Sequence, residues 1–210
     1  MKNILCYGDS NTWGADPAGG PRFPWTVRWP GVLQRELGDG YRVIEEGLGG
    51  RTTVLDDPLD DHKNGKTYLL PCLESHRPLD LVVLMLGTND LKHRFSFTPQ
   101  DIASGAGVLV RLIHASGSGY DGESPRVLLL VPPPVGEQFS ERFAASFEGA
   151  KQKAPHLSRH FAAVAQEHGC ALLDTTGFLR ASPLDGLHLD AEAHLALGQC
   201  VAQAVRGLLE

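Results

Sequence analysis

Residues 3–14 read NILCYGDSNTWG, an apolar run that passes directly into a polar turn flanked by two glycines. The run Asn3–Tyr7 has the length and composition of a buried β-strand. Gly8 and Gly14 permit tight backbone turns on either side of the polar residues. The segment therefore predicts a strand whose carboxyl end carries a polar turn.

The same short apolar pattern recurs along the chain and alternates with longer stretches of helical apolar spacing. The predicted strands are Asn3–Tyr7, Arg42–Glu45, Leu79–Leu86, Arg126–Val131 and Ala171–Asp174. The predicted helical stretches are Trp29–Leu37, Lys66–His76, Pro99–Ser116, Phe139–His168 and Ala191–Leu209. Pro155 is expected to break or start a helix inside the fourth stretch. This alternation is typical of α/β proteins, and it predicts a three-layer α/β/α sandwich around a five-stranded parallel sheet.

Size and charge narrow the class of protein. The 210 residues are 42% hydrophobic, which suffices for one well-buried domain over residues 1–210. The formal net charge is -6 and the cations are scattered, so no nucleic-acid partner is expected. No apolar run approaches the roughly 18 residues of a transmembrane helix, and the segment before Gly8 leaves no room for a signal peptide. We expect a cytoplasmic protein without a membrane partner.

The cysteines show no metal-binding or disulfide pattern. Cys6, Cys72, Cys170 and Cys200 are far apart, which favours four reduced and mostly buried thiols over a zinc site or a disulfide framework. There is also no P-loop and no carboxylate cluster in a metal-ligand pattern. The sequence therefore predicts no cofactor and no metal.

Three stretches are predicted to be long loops, at residues 14–28, 51–66 and 132–140. Loops longer than about 12–15 residues without secondary structure are usually functional or disordered. These loops contain Trp25, Arg51, Asp56, Asp57 and the proline run 132–134. We expect them to shape the mouth of a pocket or a subunit contact.

Ser10 lies in the turn after the first predicted strand, and ligands gather at the carboxyl ends of the strands in parallel sheets. Taken alone, a serine at this position is no more indicative of a nucleophile than of a residue that caps a helix. Serine needs a base and an orienting acid to act as a nucleophile, and the segment from Asp185 to His188 supplies both before the last predicted helix. One tight loop would turn His188 toward Ser10 while Asp185 holds the other ring nitrogen.

Two glycine-containing blocks offer donors for an oxyanion. Residues 47–52 follow the second predicted strand, and residues 87–90 follow the third and include the neutral amide of Asn89. Each block has an ordinary alternative, a plain turn or a helix cap. Ser, Gly, Asn and Asp-x-x-His nevertheless occur in order at strand ends or before the last helix, which favours a serine hydrolase.

With these blocks the sequence resembles the SGNH (GDSL-type) hydrolase superfamily. The matching motifs are GDSNTWG, the glycine before Arg51-Thr52, GTND and DGLH, within a resemblance that spans residues 4 to 210. It implies the SGNH hydrolase fold, a flavodoxin-like sheet of strand order 2-1-3-4-5. It also implies a catalytic triad of Ser10, Asp185 and His188 and an oxyanion hole of Ser10, Gly50 and Asn89. Asn11 stands where the GDSL name has leucine, and no effect on the functional residues is expected.

Two longer segments, EEGLGGRTTVLDDP and LVVLMLGTNDLK, look like the arylesterase and acyltransferase branch of that superfamily. This resemblance implies a homo-oligomeric serine esterase for small short-chain acyl or aryl esters, with acyltransferase or perhydrolase activity as a further outcome. Gly49 stands where that branch often has serine, which implies a roomier pocket.

Aromatic residues near the blocks are candidates for the pocket lining. Trp13 is predicted to contact the substrate because it is close to Ser10. The other candidates are Trp25, Phe95, Phe139, Phe143 and Phe147, each of which is also compatible with core packing.

Other functions remain open at this point. Among esterases they are a carbohydrate acetylesterase and a short-chain lipase or thioesterase, and outside enzymes a module that binds a small ligand at the strand ends. His156 and His160, at helical i, i+4 spacing, are expected to be solvent-exposed and not a metal site.

Overall fold

The computed structural model describes residues 1–210 and has one five-stranded sheet at its centre. The strands are β1 (Lys2–Gly8), β2 (Tyr41–Gly47), β3 (Leu81–Met85), β4 (Arg126–Leu130) and β5 (Ala171–Leu173). All neighbouring strands are parallel, in the order β2-β1-β3-β4-β5. The predicted α/β class, strand number and flavodoxin-like order are confirmed.

Helices cover both faces of the sheet. They are α1 (Ser10–Trp13), α2 (Trp29–Leu37), α3 (Gly65–His76), α4 (Pro99–His114), α5 (Glu141–Ala144), α6 (Ala150–Lys153), α7 (Leu157–His168) and α8 (Ala191–Leu209). Short 3₁₀ turns lie at Asn89–Leu91, His93–Phe95, Tyr120–Gly122 and Ala154–His156. None of the helices combines the length and apolar character needed to cross a bilayer.

The core consists of two apolar layers, one on each side of the sheet. Side chains alternate along a strand, so Leu5 and Tyr7 of β1 pack toward α3, α4 and α7, while Ile4 and Cys6 pack toward α2 and α8. Because both faces are covered, the central strands are apolar throughout instead of alternating with polar residues. This explains why the sequence shows them as continuous apolar runs.

Several predicted boundaries move by one or two residues. The third strand loses Leu79, whose N–H donates to the carbonyl of Ser118 instead of joining the strand ladder. The stretch 139–168 is not one helix, because Gly149 adopts a left-handed φ of 78° and Pro155 lies in a 3₁₀ turn. The helix α7 begins directly after that turn, which confirms the prediction for Pro155.

The register of the sheet gathers three strand ends at one edge. Gly8 at the end of β1 pairs with Gly47 at the end of β2 and with Met85 at the end of β3. The segments that follow these strands therefore leave the sheet side by side. They are the segments that contain Ser10, Gly50 and Asn89.

Candidate active site

Ser10 is the first residue of the short helix α1 and is held by its neighbours. The carboxylate of Asp9 caps this helix by accepting the N–H of Asn11 at 2.9 Å. Gly47 lets the backbone of α1 approach closely, since an added Cβ would lie 2.2 Å from the N atom of Trp13. Burial raises the pKa of Asp9 to about 6, although the N–H of Asn11 and nearby positive charges oppose the rise.

The loop before α8 presents Asp185 and His188 on the same side. One oxygen of Asp185 accepts the N–H groups of Leu187 and His188, at 2.8 and 2.9 Å, and Gly186 turns the chain between them with a φ of 76°. The other carboxylate oxygen lies 2.6 Å from Nδ1 of His188. The spacing of three residues thus closes a tight turn in which the acid holds both the backbone and the ring of the histidine.

His188 completes the contact with the first strand. Its Nε2 lies 2.9 Å from Oγ of Ser10, and all three side chains are buried. Burial alone would raise the pKa of Asp185, but hydrogen bonds from the ring and backbone of His188 and from Leu187 hold it below its usual value. The structure therefore brings together a hydroxyl, an imidazole and an ionised carboxylate, as the sequence predicted.

Asn11 is a residue whose contribution the sequence reasoning missed. Its Oδ1 accepts the N–H of Leu189 at 2.9 Å, and its Nδ2 donates to the carbonyl of Leu187 at 3.4 Å. These two residues flank His188, so Asn11 fixes the histidine from both sides. The expected lack of effect on the functional residues stays a prediction, while the two contacts place Asn11 against the segment that contains His188. A buried amide next to the nucleophile was the available signal, since such a group needs partners.

Gly50 and Asn89 lie beside Ser10 in the same cavity. Gly50 has a left-handed φ of 81°, and its N–H donates no hydrogen bond within the protein. Asn89 is buried and donates one amide hydrogen to the carbonyl of Arg51 at 3.1 Å, which leaves its second amide hydrogen without a partner. Both predicted donors are therefore free to bind an oxygen of a ligand.

Arg51 lies beneath this site and not at its mouth. The side chain is 3% exposed, and its Nη1 donates to the carbonyl oxygens of Gly8 at 2.9 Å and Glu46 at 2.5 Å. The guanidinium also lies 4.2 Å from the ring centre of Tyr7. Arg51 thus ties the ends of β1 and β2 together and orients Asn89 through its own carbonyl.

The cavity has a volume of about 680 Å³ and receives residues from all three long loops. Residues 15–20 come from the first loop, Asp60 from the second and Ser140 from the third. Asp57 anchors the second loop, because its buried carboxylate lies 3.0 Å from both Lys92 Nζ and Arg94 Nη1. The expectation that the loops shape the pocket is confirmed.

Only some of the predicted aromatic residues reach the cavity. Trp13, Phe143 and Phe147 line it, and the ring of Phe143 contacts His188 edge to face at 5.5 Å between centroids. The candidates that do not line it are Trp25, Phe95 and Phe139. Phe139 instead packs against the core, 5.6 Å from the ring of Phe147.

The structure also tests two predictions outside the site, one on a pair of histidines and one on the cysteines. His156 is exposed and His160 is partly exposed, where it accepts a hydrogen bond from Arg159. All four cysteines are free thiols, but only Cys6 and Cys72 are buried.

Comparison with known proteins agrees with this geometry. The model of the GDSL-like Lipase/Acylhydrolase family matches residues 6–196, whereas a search of curated proteins gave no match. The native aryl esterase of M. smegmatis is 43% identical with a TM-score of 0.94, and a carbohydrate acetylesterase from Sinorhizobium meliloti is 41% identical with a TM-score of 0.95. Each comparison covers 100% of both chains.

A more distant structure, the lipase/acylhydrolase from Enterococcus faecalis, shares the fold with a TM-score of 0.72 at 18% identity, over 100% of this chain and 98% of that one. The sheet order, the family match and the close structural relatives all agree with the four blocks of the sequence. The chain therefore belongs to the GDSL-like Lipase/Acylhydrolase family and is a carboxylic ester hydrolase.

Proposed function

We propose that the protein cleaves small short-chain acyl or aryl esters through an acyl-serine intermediate. Ser10 is the nucleophile in this proposal, His188 the general base and Asp185 the residue that orients the base. The supporting observation is the chain of contacts from Ser10 Oγ to His188 Nε2 at 2.9 Å and from His188 Nδ1 to Asp185 at 2.6 Å. Both distances lie in the range needed for proton transfer and for fixing the ring.

In the first step Ser10 Oγ attacks the ester carbonyl carbon while His188 Nε2 takes the hydroxyl proton. Asp185 stays ionised and stabilises the imidazolium that forms. The tetrahedral intermediate then collapses, the bond to the leaving oxygen breaks, and His188 returns the proton to the departing alcohol. In the second step His188 deprotonates a water, which attacks the acyl-serine. The bond to Ser10 Oγ then breaks, His188 returns the proton to this oxygen, and the carboxylic acid leaves.

The negative oxygen of the tetrahedral intermediate needs donors that do not have to reorganise. The backbone N–H groups of Ser10 and Gly50 and the side-chain amide of Asn89 fill this role in the proposal. Support comes from the free N–H of Gly50 and the unpaired amide hydrogen of Asn89, which lie in the cavity that contains Ser10. Removing one such donor typically slows an enzyme by ~10²–10³-fold.

The cavity favours small acyl groups. Polar and apolar groups contribute equally to the cavity wall, so a long acyl chain would lie partly against polar groups. Trp13, which is 37% exposed at the cavity, is the proposed contact for the apolar part of the substrate. An alcohol or peroxide that enters in place of water would receive the acyl group, giving acyltransferase or perhydrolase activity from the same intermediate.

A carbohydrate acetylesterase is the second candidate. The relative from Sinorhizobium meliloti bears that name and is 41% identical, which is close to the 43% of the aryl esterase. Polar side chains at the cavity, among them Asp16, Asp60 and Arg94, are of the kind that bind sugar hydroxyls. An acetyl group is the acyl part in this candidate, so the two proposals share the mechanism and differ in the alcohol.

The proposal is tested with p-nitrophenyl esters from acetate to dodecanoate and with an acetylated sugar. Wild type, Ser10→Ala and the control Ser104→Ala, an exposed serine on α4, are compared. We expect wild type and the control to prefer the shortest esters and Ser10→Ala to lose turnover. Equal turnover in Ser10→Ala would overturn the proposed nucleophile, and faster release of sugar acetate than of aryl acetate would favour the second candidate.

We also propose a cytoplasmic homo-oligomer without a nucleic-acid partner. Four free thiols are typical of a reducing compartment, and the net charge of -6 disfavours nucleic acid. Trp13 and Leu184 are exposed large apolar side chains at the cavity, and Trp25 and Leu59 are exposed on the first and second long loops. Such exposure supports a subunit contact through the loops, and light scattering after size-exclusion chromatography would measure the subunit number.

A further inference from the structure

A glutamate, a cysteine and a histidine lie together between β2 and α3, outside the cavity that contains Ser10. The ligand atoms of Glu46, Cys72 and His76 all lie within 4.8 Å of one another. The closest pair is Oε1 of Glu46 and Nε2 of His76, at 2.8 Å. A carboxylate, a thiol and an imidazole are the three side-chain groups that bind zinc in proteins.

The fold produces this cluster from two elements. Cys72 and His76 are four residues apart on α3 and therefore lie on the same face of the helix. Glu45 and Glu46 are consecutive on β2, so their side chains leave opposite faces of the sheet. Glu46 points toward α3, and sequence spacing alone did not show the site because this third ligand comes from another element.

The two glutamates differ in their counter-ions. Glu45 forms salt bridges with Arg22 and Arg28, the latter at 2.8 Å. Glu46 has no lysine or arginine within 4.0 Å of its carboxylate, and its one ionic partner is His76. Its side chain is only 21% exposed. A partly buried carboxylate without a permanent positive partner favours the binding of a cation.

The thiol is also placed for a metal. Cys72 is 1% exposed, and its sulfur lies within 4.8 Å of the ligand atoms of Glu46 and His76. A metal ion binds the thiolate and releases the thiol proton to solvent. Of the three residues, Glu46 alone lines a second cavity, of about 570 Å³, so an ion would approach the cluster from the side of Glu46.

We propose that Glu46, Cys72 and His76 form a zinc site with a water as the fourth ligand. Zinc lies about 2.3 Å from sulfur and about 2.0–2.2 Å from nitrogen or oxygen in such sites, so tetrahedral binding requires the contact between Glu46 and His76 to widen slightly. The ion accepts the lone pairs of the thiolate, the neutral imidazole and the carboxylate, and one proton leaves Cys72. Bound zinc would link β2 to α3 and stabilise the folded state.

The experiment uses Co²⁺ as a spectroscopic substitute for zinc, added to full-length protein that has been treated with a chelator and desalted. Wild type is expected to develop thiolate-to-cobalt absorption in the near ultraviolet and tetrahedral cobalt bands in the visible. Both should saturate at one equivalent and disappear when Zn²⁺ is added. Cys72→Ser should lose the near-ultraviolet band, and His76→Gln should bind at least about tenfold more weakly.

Two matched controls separate this site from other ligands. Cys200→Ser removes a partly exposed thiol on α8, and His156→Ala removes an exposed histidine, so both should keep the full cobalt spectrum. At a hundredfold excess over its Kd, Zn²⁺ should raise the Tm of wild type by about 5 °C but not that of Cys72→Ser. The proposal would be overturned if wild type showed no cobalt bands or if the bands survived in Cys72→Ser. The contact between Glu46 and His76 would then be an ordinary hydrogen bond and not part of a metal site.

Discussion

The side chain of Asn11 accepts the backbone N–H of Leu189 at 2.9 Å and thereby joins the turn that contains Ser10 to the loop that contains His188. Its other amide group donates to Leu187. One side chain thus links the segments of Ser10 and His188, which are 178 positions apart in the chain.

Asn11→Leu should lower kcat/KM about tenfold and destabilise the protein by about 1–3 kcal/mol, because the N–H of Leu189 would lose its partner in a buried position. The loss should appear mainly in kcat, since the cavity wall is unchanged. Asn11→Ser keeps a neutral acceptor oxygen without adding a charge and is the matched control, with a smaller expected effect. Steady-state kinetics and urea denaturation measure the two quantities. Unchanged kcat in a destabilised Asn11→Leu variant would show that Asn11 has a structural role only.

Asn89→Ala should reduce kcat by ~10²–10³-fold with little change in KM, because the amide is needed for the charge that develops after attack. The circular dichroism spectrum should stay that of wild type. Near-normal turnover in this variant would remove Asn89 from the oxyanion hole.

Gly49→Ser should fold normally and narrow the cavity. A Cβ at Gly49 would meet no atom within 4 Å, and the residue lies beside Ser10 in the cavity wall. We expect stability within about 0.5 kcal/mol of wild type and a steeper fall in kcat/KM with acyl chain length. Gly50→Ala is the contrasting variant, since its φ of 81° should cost about 1–2 kcal/mol. An unchanged chain-length profile in Gly49→Ser would show that this position does not limit the acyl group.

His194 should make the folded state sensitive to mild acid. It is fully buried at the start of α8 and accepts the N–H of Trp29, and burial lowers its pKa to about 4. Between pH 6.5 and 4 the histidine takes up a proton in the unfolded chain but not in the folded protein, so its contribution to the free energy of unfolding falls as the pH falls. The contribution reaches roughly 3 kcal/mol at pH 4 and is absent above pH 7.

Comparison of wild type with His194→Asn isolates this contribution, because asparagine supplies an acceptor for Trp29 but does not titrate. Asp9 and Asp90 have pKa values raised to about 6, so they stabilise the folded state as the pH falls. Wild type and His194→Asn share these two residues, so their effect cancels in the comparison. The denaturant midpoints of the two proteins should converge as the pH falls from 7 to 5. Parallel pH profiles would contradict a buried neutral His194.

The sequence predicted the sheet and the proximity of Ser10, Asp185 and His188 because both follow from local patterns. Apolar runs predicted β1 and β3, and the position of Gly8 in the sequence placed Ser10 just after the end of β1. The 139–168 region was less predictable, since apolar spacing continues across Gly149 while the backbone there is left-handed. The contacts of Asn11 and the cluster around Glu46 were not predictable, because each joins segments that only the folded chain brings together.

The central claim is that Ser10 becomes covalently acylated with the help of His188. The most direct measurement is the mass of the intact protein after reaction with a sulfonyl fluoride or organophosphorus probe, followed by peptide mapping. Wild type should gain one adduct at Ser10, Ser10→Ala none, and His188→Ala should react far more slowly. An unlabelled Ser10 in an active enzyme, or an adduct elsewhere that abolishes turnover, would contradict the account.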